Sequence, residues 1–87
     1  GESYSAGYSL IVRVTANDRS GLLRDITTIL ANEKVNVLGV TSRSDTREQL
    51  ATIDMEIEIY NLQVLGRVLG KLNQVSDVID ARRLHGG

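Results

Sequence analysis

The chain contains no cysteine, no proline, no tryptophan and no phenylalanine, and it carries one histidine in 87 residues. Without cysteine there is neither a disulfide framework nor a thiolate metal site, which fits a reducing compartment and gives a cytoplasmic location as the expectation. Without proline, every residue after the first can offer a backbone N–H to a ladder. Three tyrosines are the whole aromatic complement. Tyr4, Tyr8 and Tyr60 are not paired as a platform on which bases could stack, which argues against the usual sheet-face readout of RNA. No apolar run approaches the roughly 18–20 residues of a membrane span and no signal-peptide pattern opens the chain, so no membrane partner is expected. Ten Lys and Arg against eleven Asp and Glu leave a formal charge of −1, too little for a strong whole-domain field toward nucleic acid.

What is present is one domain's worth of patterned sequence. A chain of this size buries roughly 60–65% of its unfolded surface in a single modest core. It opens on Gly1 without methionine and is expected to be a piece of a longer or processed protein. Residues 1–7 are small and polar and read as a linker remnant, residues 8–85 as the domain, and 86–87 as a tail.

Tyr8, Leu10, Val12, Val14 and Ala16 alternate with Ser9, Ile11, Arg13 and Thr15, the period-two pattern of a strand. Ile11 breaks the polarity of the second face, which is therefore expected to be partly covered. A polar turn follows, and then from Gly21 to about Glu33 a stripe of Leu22, Leu23, Ile26, Ile29 and Leu30 predicts a helix of about 20 Å. Asp18 and Ser20 are both competent N-caps for it. Val35 to about Ser42 is nearly all apolar or β-branched and predicts a strand buried on both faces for part of its length. Gly39 within it marks a bulge or a close backbone contact. Residues 43–48 read as a polar hairpin loop. Ala51, Ile53, Met55, Ile57 and Ile59 then alternate with Thr52, Asp54, Glu56, Glu58 and Tyr60. Asn61 is the expected cap of a second helix striped by Leu62, Leu65, Val68, Leu69 and Leu72. A last strand covers about Ser76 to Arg83, where adjacent Val78 and Ile79 suggest a bulge that shifts the register.

The order β-α-β-β-α-β predicts a ferredoxin-like α+β sandwich, a four-stranded antiparallel sheet with both helices on one face. The other sheet face is expected to be open or used in assembly.

Catalysis finds little support. His85 sits near the chain end with no anchored acid beside it. Asp54, Glu56 and Glu58 recur about 7 Å apart along one strand face and read as a solvated face rather than paired catalytic acids or a metal site. No cofactor and no metal ligand set is expected. Arg43 and Arg47, or Arg82 and Arg83, are candidates for contact with a nucleic-acid backbone. Gly66 and Gly70 cost helix stability, so close packing against the sheet, a second subunit or a nucleic-acid backbone is their expected use.

The turn is the most informative stretch. Gly21 permits a tight turn and close approach at the positive end of a helix, where a small anion or zwitterion docks readily. Residues 17–26, Asn-Asp-Arg-Ser-Gly-Leu-Leu-Arg-Asp-Ile, resemble the signature of the ACT domain, a βαββαβ module that regulates metabolic enzymes. The resemblance extends over residues 8–85, including Leu50-Ala51-Thr52-Ile53-Asp54-Met55 and 78–84. Over that length the chain is similar to the C-terminal ACT domain of the RelA-type GTP pyrophosphokinases of the RelA/SpoT family.

The resemblance implies a regulatory part of an enzyme that moves pyrophosphate from ATP to GTP or GDP, making (p)ppGpp in the stringent response to amino-acid starvation. The synthetase and hydrolase-like domains of that family have no counterpart here, so no catalysis by this stretch is implied. Implied partners are the ribosome with its rRNA and uncharged tRNA, the other domains of the parent chain, a branched-chain amino acid, and a second copy in a homodimer. Carried over by position, the ligand turn comprises Asp18, Arg19, Ser20, Gly21 and Leu22, with Asn36 and Leu38 facing it. Backbone N–H groups after Gly21 would meet a carboxylate, and Asn36 would bond the ligand's amino or carboxylate group. Many ACT domains carry proline where this chain has Ser20.

Overall fold

A computed structural model describes residues 7–84. Six elements follow in the order β1 (Tyr8–Asn17), α1 (Leu22–Asn32), β2 (Asn36–Asp45), β3 (Leu50–Ile59), α2 (Leu62–Gln74) and β4 (Val78–Leu84). The strands form one antiparallel sheet in the order β2-β3-β1-β4, the ferredoxin-like arrangement that the alternation and the two apolar stripes predict. The residues expected in the linker and tail, Tyr4 among them, lie outside those described, apart from Gly7, and so does His85 at the end of the expected domain.

The core lies where the patterns converge. Leu10, Val12, Val14 and Ala16 of β1 share a face with Ala51, Ile53, Met55, Ile57 and Ile59 of β3, all buried, through pairings such as Val12↔Met55 and Val14↔Ile53. Onto that face α1 lays Leu22, Ile26 and Leu30, and α2 lays Leu65, Val68 and Leu72. Burial of each large aliphatic side chain contributes about 1.5–3 kcal/mol. The outermost stripe members escape: Leu23 and Leu62 remain 42% and 60% exposed. Asn61 caps α2 as expected, its Oδ1 accepting from the Val64 N–H at 3.0 Å. α1 ends with Lys34 in the left-handed region and the Val35 N–H reaching back to the Leu30 carbonyl at 3.0 Å, a bond that satisfies an otherwise orphaned helix-end acceptor.

Four expectations need correction. Neither Asp18 nor Ser20 caps α1; Gly21 itself is the N-cap, left-handed at φ 83°, with no side-chain cap bond. The run from Val35 to Ser42 is not buried on both faces. It belongs to an edge strand along which only Val37 is half-buried, because no neighbouring strand covers β2's outer side. The polar loop is shorter than expected: β2 continues through Arg43 to Asp45, and the turn occupies residues 46–49. There Asp45 Oδ1 accepts from the Arg47 N–H at 2.9 Å, the local bond that lets an aspartate start a turn. Gly66 and Gly70 do not pack closely against the sheet: a Cβ at either would meet nothing of this chain within 4 Å.

Both bulges fall where the sequence suggests. The β2–β3 register shifts between Val37 and Gly39, and the β1–β4 register between Thr15 and Ala16, where Asp80 and Val78 pair and Ile79 is skipped. Gly39 has open space around it, so its role is the bulge and not a close contact.

Candidate functional site

The β1–α1 turn is held from two sides. The Asn17 N–H donates to the Asp77 carbonyl at 2.8 Å, tying the turn to the α2–β4 connection. The Asp18 N–H donates to the Gln49 carbonyl at 2.9 Å, tying it to the β2–β3 turn. Arg19 reinforces the first tie. Its Nε donates to the Asp77 carboxylate, its Nη2 to Asp25 at 2.6 Å, and its Nη1 to the Ser20 carbonyl at 3.0 Å. The hydrogen bond from Arg19 holds the Asp25 carboxyl below its usual range, and the two carboxylates hold the guanidinium above its own.

Because Gly21 brings no side-chain oxygen, no side chain caps the first turn of α1. The Leu22 N–H is taken by the Arg19 carbonyl at 3.3 Å. Beside this helix start lies an open cleft of about 260 Å³ between Asp18, Gly21, Leu23 and Arg24 on one side and Ser42 and Ser44 of β2 on the other. Ser42 and Ser44 pair with Ile53 and Ala51, so they stand on the helix-facing side of the sheet. A helix start flanked by the Arg24 guanidinium and two serine hydroxyls can receive a small carboxylate or other anion.

Of the seven residues expected to form a ligand turn, Asp18, Arg19, Gly21 and Leu22 line this cleft. Leu22 is also a core residue, 3% exposed. Ser20 is exposed and does not line it. Asn36 and Leu38 are not brought to the turn. Asn36 pairs with Glu58, which pairs with Ser9, whereas the turn follows Asn17 at the opposite end of β1. Within one chain Asn36 therefore cannot face the turn, because about eight strand residues, some 26 Å, intervene. The Asn36 amide instead donates to Glu58 at 3.4 Å.

The four candidate arginines do not form one patch. Arg43 lies on β2 opposite Thr52, Arg47 in the following turn, and Arg82 and Arg83 on β4 at the other edge. Arg82 stands 3.7 Å from Asp80. Between the edges, Arg13 makes a two-pronged bond to Asp54 at 2.8 and 2.9 Å, which lowers that carboxyl's pKa and makes it a structural acid. Among the described residues no three acidic or histidine side chains cluster to hold a metal, and no helix is long and apolar enough to cross a membrane.

Sequence reasoning missed Arg24, Ser42 and Ser44 as walls of the cleft. The two serines share a face by alternation, a signal hidden by reading β2 as buried.

Topology and turn together define a ferredoxin-like module with a ligand-sized cleft at its first helix start. Residues 5–83 match the ACT domain family, and the chain belongs to that family. It is 92% identical over 86 residues to a GTP pyrophosphokinase of Escherichia coli strain K12, covering 99% of this chain and 12% of that protein. A GTP pyrophosphokinase of Haemophilus influenzae is 58% identical over 84 residues, covering 97% of this chain and 11% of its own length. The chain thus spans only about 12% of such relatives. Among solved structures, the ACT domain from a GTP pyrophosphokinase of Chlorobium tepidum superposes with a TM-score of 0.78 at 20% identity, covering 91% of this chain and all of that one. A prephenate dehydratase of Staphylococcus aureus matches with a TM-score of 0.75 at 18% identity over 88% of this chain and 29% of its own. At such identities these two likenesses concern the fold alone.

Proposed function

We propose that this chain is the non-catalytic regulatory module of a RelA-type (p)ppGpp synthetase, coupling the state of the ribosome and its uncharged tRNA to a distant active site in the cytoplasm. The observation that carries this reading is the 92% identity, over nearly the whole chain, to a GTP pyrophosphokinase of which it spans 12%. In this reading residues 8–85 are the ACT domain, 1–7 a linker and 86–87 a tail. Coupling requires two states with different contacts, and the exposed Arg43 and Arg47 are the proposed ribosome contact. The test is Arg43→Glu with Arg47→Glu in the full-length synthetase, comparing activity with and without ribosomes. A several-fold smaller stimulation is expected; unchanged stimulation and unchanged ribosome affinity would reject that contact.

A second reading, an amino-acid-binding dimer, is favoured by one observation. The outer edge of β2 is unpaired along its length and carries Leu38 and Val40, 49% and 43% exposed. Two copies pairing antiparallel about Val40 would bring Asn36 of one copy opposite Ser44 of the other, beside the cleft. A ligand site split this way exists only in the dimer. Calorimetry with valine, isoleucine and leucine, run alongside sedimentation, distinguishes the outcomes. Heat from a dimer supports this reading, and a chain that stays monomeric and silent at millimolar ligand removes it.

A further inference from the structure

The sheet has two edge strands, β2 and β4, and they are treated differently. In an antiparallel pair, residues alternate between bonding their neighbour and turning both backbone groups away from it. Ala81, opposite Val14 on β1, turns both away, toward the outside of the sheet. Those groups are not left for water. Asn73, in the last turn of α2, accepts from the Ala81 N–H through Oδ1 at 3.0 Å and donates from Nδ2 to the Ala81 carbonyl at 3.1 Å. The remaining hydrogen of the amide goes to the Leu69 carbonyl at 3.0 Å, which fixes the side chain against its own helix. Ala81 is only 5% exposed although it lies on an edge strand.

This pair of bonds is the exchange that an added antiparallel strand would make with Ala81. We propose that Asn73 acts as a surrogate strand residue that closes the β4 edge to pairing, so that strand addition, by a second copy of this chain, is directed to β2. An unpaired edge is otherwise a template for association. Closure is needed here because the skipped residue Ile79 is 56% exposed on that same strand and would reward a wrong partner. The side-chain amide supplies a donor and an acceptor side by side; aspartate would accept and not donate, and alanine would do neither.

The absence of cysteine makes the test direct. A single Ile79→Cys reports contact between β4 edges by oxidative cross-linking, and a single Val40→Cys reports contact between β2 edges. With Asn73 intact, the Ile79→Cys yield is expected to stay low as concentration rises, while Val40→Cys links. Adding Asn73→Ala is expected to raise the Ile79→Cys yield several-fold and to leave Val40→Cys unchanged. Equal Ile79→Cys yields with and without Asn73→Ala, in chains that keep their circular dichroism, overturn the proposal. Should Asn73→Ala fail to fold, amide exchange in the unaltered chain decides. The Ala81 amide is expected to exchange about fivefold or more slowly than the outward-facing Arg83 amide, the factor a net hydrogen bond contributes. Equal rates overturn the proposal.

Discussion

Arg19 and Asp77, which stand 58 positions apart, are joined through Nε and a carboxylate oxygen, and this contact turns the arginine of the signature away from ligand duty. Its other nitrogens are also engaged, with Asp25 and the Ser20 carbonyl. The first prediction follows from that occupancy. Arg19→Ala is expected to lower the thermal midpoint and to speed amide exchange at Asn17, whose bond to the Asp77 carbonyl the contact reinforces. Arg19→Lys should recover only part of the loss, because a single ammonium cannot reproduce the fork. An unchanged midpoint in Arg19→Ala would show that the turn stands without it.

Gly21 tests the turn by strain. Its φ of 83° is one that other residues adopt at a cost, and space is not the obstacle, since the nearest atom to an added Cβ is the Arg19 guanidinium at 3.6 Å. Gly21→Ala should therefore destabilise by about 1–2 kcal/mol in chemical denaturation. Gly21→Asn should cost less, because asparagine tolerates the left-handed region. Equal stability of Gly21→Ala and the parent would mean that the turn relaxes to another backbone path.

Gly66 and Gly70 give a prediction of the opposite sign. Both are exposed in α2 with free space around them, so alanine adds helix propensity at no steric cost. Each substitution should stabilise by about 0.5–1 kcal/mol, and one kcal/mol raises the midpoint of a domain this size by about 4–8 °C. If, under the proposed function, the gain is accompanied by a loss of ribosome-dependent stimulation in the full-length protein, the smooth face is a contact surface there. A loss of stability would restore the close-packing interpretation.

Glu33 links the two helices. Its carboxylate meets Lys71 Nζ at 2.8 Å and Arg67 Nε at 3.0 Å, and its side chain is only 9% exposed. Lys71 first and Arg67 second hold its pKa below the usual value, and Asp25 and Asp54 are shifted in the same direction. A carboxyl with a lower pKa in the folded state stabilises fully above its unfolded pKa and loses that stabilisation as pH falls through the folded value. The thermal midpoint should thus be flat near neutrality and fall on acidification. Glu33→Gln should start lower at pH 7 and fall less steeply. An acid limb of the same steepness in Glu33→Gln would exclude Glu33 as a contributor.

The legible parts of the chain were those in which function and burial act locally. The alternation of Leu10 to Ala16 and of Ala51 to Ile59, and the cap at Asn61, each declare themselves within a few residues. β2 misleads because its β-branched run has the composition of a central strand. Whether a strand is central depends on partners elsewhere in the chain, and no pattern inside Val35–Ser42 carries that information. The start of α1 misleads for another reason: two good capping side chains, Asp18 and Ser20, stand just ahead of a glycine that takes the capping position by backbone conformation alone. Arg24, Ser42 and Ser44 meet at the cleft through the β2–β3 pairing and the docking of α1 on the sheet. The contact of Asn73 with Ala81 spans eight positions and a change of element, a distance at which neither helical nor strand periodicity speaks.

β1 begins at Tyr8 and β4 ends at Leu84, and the two strands are antiparallel neighbours with Ile11 beside Leu84. Tension applied through the two ends would therefore open their ladder one rung after another, as a zipper parts, instead of shearing all rungs together. Such a module yields to a modest pull along that axis, and the three knitted turns at its far end would be the last to feel it.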